Sequence, residues 1–139
     1  MEKQFEIIDH TADIGIMAYG YTLAELFKNA ATGMLSLITD LSKVENKLSK
    51  EIVLQEQDSV TLLVEWLNGL VYELDAEHLI FNDFALSIHD GGRLTAICYG
   101  EKLDPQRHVI KREVKAATYH NLNIVKENNV YSAAIIFDI

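Results

Sequence analysis

Two stretches of helical period, each preceded by a side chain able to cap it, constrain this chain more than any other feature. In the first, Leu23, Leu26, Phe27, Ala30, Ala31, Met34, Leu35 and Ile38 form one apolar face that runs through Thr39. Thr22-Leu23-Ala24-Glu25 ahead of it has the spacing of a capping box, in which the Thr22 hydroxyl accepts from the Glu25 amide and the Glu25 carboxylate reaches back to the Thr22 amide. In the second, Asp58-Ser59 can cap a helix whose Val60, Leu63, Trp66, Leu67, Leu70, Val71 and Leu74 share a face. Glu65, Asn68 and Glu73, with Asp75 and Glu77 just beyond, are expected on the far side. Two apolar helix faces need an apolar cover, most simply a sheet.

Most of the remaining chain has a period of two. Phe5 to Ile8 and Ile14 to Ala18 read as short strands around a bend, and Glu51 to Gln55 as another. Ile80 to Ile88 turns at Asp90-Gly91-Gly92 into Leu94 to Tyr99. Asn128-Asn129 offers positive-φ residues for a tight turn between Ala117 to Val125 and Val130 to Ile139. The expected architecture is α+β and two-layered: a largely antiparallel sheet of about six to seven strands, with two amphipathic helices on one face and the last strands folding over as a partial second sheet.

The 139 residues include one Pro and seven scattered Gly, so residues 1–139 read as a single domain without a linker. Hydrophobic residues are 49% and charged residues 24%, a balance that can bury a core. No apolar run approaches the roughly 20 residues that cross a bilayer, and Met1-Glu2-Lys3-Gln4 does not open a signal segment, so a cytoplasmic protein without a membrane partner is expected. The lone Cys98 lies in an apolar run and should pack as a small hydrophobe. A net charge of −9 would repel a nucleic acid backbone over most of the surface, so no stable direct RNA binding is expected. The one local basic candidate is Arg107 to Arg112, which also reads as a solvated loop. An acidic surface suits a cation or a basic protein partner.

Three segments carry possible chemistry. At the His10-Thr11-Ala12-Asp13 bend a carboxylate and carbonyls can converge on a hard cation such as Ca²⁺, Mg²⁺ or Mn²⁺, although Thr11 and Asp13 can equally serve turn amides. At the chain end, Asp138 and the carboxylate of Ile139 put two anionic groups side by side, answered by a metal, a basic side chain or solvent. In Glu113 to His120, read as a strand, Lys115, Ala117 and Tyr119 share one face and Val114, Ala116, Thr118 and His120 the other. A lysine on an inner face would need acidic company, for which Asp13 and Asp138 are at hand; an exposed or edge lysine would not. His10 and His120 fit no nucleophile or metal-ligand spacing, and no phosphate-cradling glycine loop is present.

Six segments in this order resemble the archease family: His10-Thr11-Ala12-Asp13-Ile14-Gly15, the helix opening from Gly20 to Phe27, Leu62 to Leu67, Gly100-Glu101, Glu113 to His120, and the closing Asp138-Ile139. The resemblance spans nearly the whole chain. It implies a non-catalytic activator of an RtcB-type RNA ligase, which joins RNA ends using GTP and a metal, and which the activator would help through guanylylation and repeated turnover in tRNA splicing and RNA repair. It implies a divalent metal, calcium foremost, on Asp13, Asp138 and Ile139, a functional Lys115, and partner-facing His10, Thr118 and His120. Tyr21 stands where some members carry an acidic residue. The rival reading is a general chaperone-like binding module for RNA-processing or RNA-modifying enzymes, gripping partners through helix-face acids such as Glu65 and Glu73. A metal-dependent phosphohydrolase is a third, which lacks a positioned base.

Overall fold

The computed structural model describes residues 3–139 apart from 10–12, and Asp9 through its backbone alone. Eight antiparallel strands and two helices follow in the order β1 (Phe5–Asp9), β2 (Ile14–Gly20), α1 (Leu23–Ile38), β3 (Leu48–Gln55), α2 (Ser59–Glu77), β4 (Leu79–His89), β5 (Arg93–Lys102), β6 (Ala116–Ala117), β7 (Ile124–Glu127) and β8 (Val130–Asp138). The α+β class and both helices are as read from the sequence. The strands, however, fall into two sheets: β1-β2-β8-β6 with β7 also on β8, and β3-β5-β4. The second sheet thus comes from the middle of the chain rather than its last strands. The reason is local, since β4 and β5 are a hairpin and β3 pairs directly with β5.

Both caps form. Thr22 Oγ1 accepts from the Glu25 amide at 3.0 Å, and the Glu25 carboxylate accepts from the amide of Tyr21, one residue earlier than expected, at 2.9 Å. Asp58 accepts from the Thr61 amide at 3.2 Å and from its hydroxyl at 2.8 Å. Helix α1 packs on β1, β2 and β8 of one sheet and on β4 of the other, so its apolar face bridges the two. Helix α2 touches α1, β3, β4 and β6. That crowding explains why Leu62 and Val64 are buried beside the expected stripe. The helices are tied by Trp66, fully buried, whose indole N–H donates to Phe27 O at 3.0 Å while its ring meets Phe84 edge-on at 5.5 Å.

The turns follow their residues. Gly91 and Gly92 take positive φ between β4 and β5, where a side chain at position 92 would also collide with the Glu56 carbonyl. Asn128 and Asn129, both at positive φ, join β7 to β8. The expected strand from Ala117 to Val125 is instead broken. Leu122 is buried, its amide donates to Tyr119 O at 3.1 Å, and Asn121 sits at φ 50°, so a turn separates two-residue β6 from β7. Cys98 packs as a hydrophobe, with burial pushing its thiol up to about 12. No helix among the described residues is long and apolar enough to cross a membrane.

Replacing Thr22 by Ala should cost about 1 kcal/mol, the usual loss for a helix cap, read as a lower urea midpoint at unchanged slope.

Candidate functional site

Strand β2 lies beside β8 with Ile14 opposite Phe137 and Ile16 opposite Ile135, all four buried. Asp13 directly precedes the Ile14–Phe137 pair in β2 and Asp138 directly follows it in β8, so the two acids flank the same end of this register. On the other side of β8, Ala116 stands opposite Asp138, and the Lys115 amide donates to the Asp138 carbonyl at 2.8 Å. Asp13, Asp138, Ile139 and Lys115 are therefore gathered at one end of three adjacent strands. Asp13 is half-buried and the other three are exposed.

The third candidate segment differs from its reading as a regular strand. Lys115 is exposed rather than on an inner face, and among the described residues it makes no ion pair with Asp13 or Asp138. Thr118 is half-buried and structural in its contacts: its amide and its hydroxyl both donate to Ile136 O, at 3.0 and 2.8 Å. His120 is exposed and its amide donates to Thr118 Oγ1 at 3.3 Å. His10, Thr11 and Ala12 lie outside the described residues.

As a cation site Asp13, Asp138 and Ile139 offer only hard oxygen donors, which fit Ca²⁺, Mg²⁺ or Mn²⁺ and not a thiolate-seeking metal. Among the described residues no three His, Cys, Asp or Glu side chains are close enough to hold an ion. Two carboxylate side chains with Ile139 would thus form an open shell, completed by carbonyls and water.

Three polar arrangements escaped the sequence reading. Glu73, expected to face outward on α2, is buried and accepts from Lys50 Nζ at 2.6 Å. Asn68, also expected outside, accepts from the Ala117 amide at 2.7 Å and donates to the Ala117 carbonyl at 3.2 Å. Glu101 is buried at the end of β5, where it accepts from the Glu45 amide at 2.7 Å and from Arg107, with His108 Nε2 3.1 Å away. The Asp104 amide donates to His108 Nδ1 at 2.8 Å, so the ring hydrogen sits on Nε2 and points at Glu101. The local basic run is accordingly split: Arg107 and His108 turn inward to Glu101, while Lys111 and Arg112 are exposed. The available signal was a carboxylate breaking the alternation of β5, with Arg107-His108 a short loop away.

Residues 5–139 match the Archease protein family. The chain belongs to that family. It is 39% identical over 138 residues to protein archease of Sulfurisphaera tokodaii, covering 99% of both chains, and 42% identical over 127 residues to protein archease of Pyrococcus abyssi, covering 89% of both. The solution structure of Methanobacterium thermoautotrophicum protein 1598 is 37% identical and superposes with a TM-score of 0.87, over 98% of this chain and 99% of that one. An archease of Thermotoga maritima described as a possible chaperone is 20% identical, with a TM-score of 0.67 over 95% and 94% of the two chains, a likeness that bears on the fold alone.

Burial opposes ionisation of Glu101, but the Glu45 amide, Arg107 and His108 outweigh it and hold the carboxyl at about 2, below its ordinary 4.5. A depressed carboxyl stabilises the fold above pH 4.5, and that stability drains away as the pH falls towards 2. The difference is worth about 3 kcal/mol. Glu101→Gln should therefore be less stable than the parent at pH 7 and flatter between pH 4.5 and 2, in urea melts recorded across that range.

Proposed function

We propose that this family member is a metal-binding protein cofactor that activates an RtcB-type RNA ligase, promoting its GTP-dependent guanylylation and multiple turnover in tRNA splicing and RNA repair. It performs no ligation itself, works in the cytoplasm and forms no stable complex with RNA of its own. The observation that supports this reading is that Asp13, Asp138 and Lys115 sit at the same end of β2, β8 and β6, Asp13 just before the Ile14–Phe137 pair, Asp138 just after it and Lys115 just before Ala116. Parts of the chain far apart in sequence contribute two carboxylates and a cation to one end of the sheet, with no ion pair between them among the described residues.

In this reading Asp13, Asp138 and Ile139 hold a divalent ion, calcium being the first candidate. When bound, such an ion would supply positive charge able to neutralise phosphate oxygens during phosphoryl transfer. Lys115 stands free to meet an anionic group of the partner, such as the triphosphate of GTP, through charge-assisted hydrogen bonds. Thr118 holds β6 against β8 through Ile136, which keeps Lys115 at the tip. His10 and His120 are the remaining partner-facing candidates. Exposure suits this role, because a tip that enters another protein's site must be free of contacts within its own chain.

The competing reading, a general chaperone-like module gripping RNA-processing or RNA-modifying enzymes through helix acids, loses one of its two named residues. Glu73 is buried against Lys50 and has no free surface with which to grip. Glu65 is half-buried, and its carboxyl is raised by desolvation and by neighbouring Glu56.

With GTP, metal and an RtcB-type ligase, Asp13→Ala, Asp138→Ala and Lys115→Ala should each lower stimulated guanylylation by about tenfold or more while remaining folded. Full stimulation by all three would remove this tip from the mechanism. Calcium should raise the melting temperature of the parent and of Lys115→Ala, but raise it much less in the two aspartate variants.

A further inference from the structure

Strand β6 is the edge of the first sheet, pairing with β8 alone. The Ala117 N–H and C=O would therefore form an open edge, were it not for Asn68 of α2. Its side-chain amide accepts from that N–H at 2.7 Å and donates to that C=O at 3.2 Å. A primary amide offers one acceptor and donors in the spacing of a backbone peptide, so Asn68 acts as the next strand would. Only two residues lie in β6, and the chain on both sides is irregular, with Lys115 one residue before it. The segment that carries Lys115 is thus clamped between β8, through the Lys115 amide and Asp138 O, and the Asn68 amide.

We propose that Asn68 is a positioning residue for Lys115: by closing the edge at Ala117 it fixes the distance and direction of the lysine relative to Asp13 and Asp138. This rests on the functional reading above, since it assigns Asn68 a part in ligase activation through Lys115. It also accounts for a polar residue kept half-buried in the middle of α2, where its hydrogen bonds run to β6 rather than along the helix.

The test compares the full-length parent, Asn68→Ala, Lys115→Ala and the double variant in ligase guanylylation, alongside their urea stabilities. Asn68→Asp is included because its carboxylate keeps the acceptor for the Ala117 amide but loses the donor. It serves in place of Asn68→Ala should that variant not fold. The expected result is a roughly tenfold loss of stimulation for Asn68→Ala, the size that a small misplacement of a working group can produce. The same substitution should cost nothing further in the Lys115→Ala background, because its effect is spent once the lysine is gone. Amide exchange at Ala117 should quicken in the Asn68 variants while distant core amides keep their protection. Unchanged stimulation by Asn68→Ala or Asn68→Asp, or losses that multiply in the double variant, would overturn this inference and leave the role of Lys115 standing. If Lys115→Ala itself stimulates fully, the functional reading falls and this inference falls with it.

Discussion

The pairing of β2 with β8 is the interaction on which the rest depends. Ile14 and Ile16 face Phe137 and Ile135 across it, and all four lie in the core beneath α1. Because side chains alternate every residue, a slip of one position would turn this apolar set to the outside, so burial fixes the register. Gly15 tightens it further, since a side chain there would press on the Ile135 carbonyl at 2.9 Å. The placement of Asp13 and Asp138 is then inherited from the core: hydrophobic packing sets the register, and the register brings both acids to the same end, just beyond the last buried pair.

Much of this was legible in the residues. Thr22 and Asp58 marked the helix starts because a cap is a local device, and the apolar periods of α1 and α2 survived because each helix must bury one stripe. Gly91-Gly92 and Asn128-Asn129 marked the hairpins because few other residues accept positive φ. Which strands make up the second sheet was not legible, since strand partners are chosen by long-range packing that no window of sequence contains. Nor was the break at Tyr119 to Asn123, where buried Leu122 and the bonds of Thr118 to Ile136 override an apolar alternation that reads as strand.

For the candidate site, Asp13, Asp138 and Lys115 could be singled out as residue types in unusual places, and the fold brings them to one tip. The environment of the lysine stayed open between an inner face and an exposed edge because β6 is too short for alternation to decide which way a side chain faces; in the fold it is exposed. Glu73 and Asn68 escaped notice because their partners, Lys50 and Ala117, come from distant elements, so their burial cannot be read from neighbours in sequence; Glu101 meets Arg107 and His108 only a short loop away, and its break in the alternation of β5 was the one readable sign. These three tie α2 and β5 to their surroundings by directed bonds where apolar contact would leave more freedom.

The β2–β8 pairing also orders events in time. It joins segments from nearly opposite ends of the chain, and closing so large a loop has an entropic cost that only the finished core repays. During synthesis, α1, α2 and the β4–β5 hairpin can gather locally while β2 still waits for its neighbour. The acidic tip arises only once β8 has joined β2, so that a chain stalled or clipped short of β8 lacks the tip altogether.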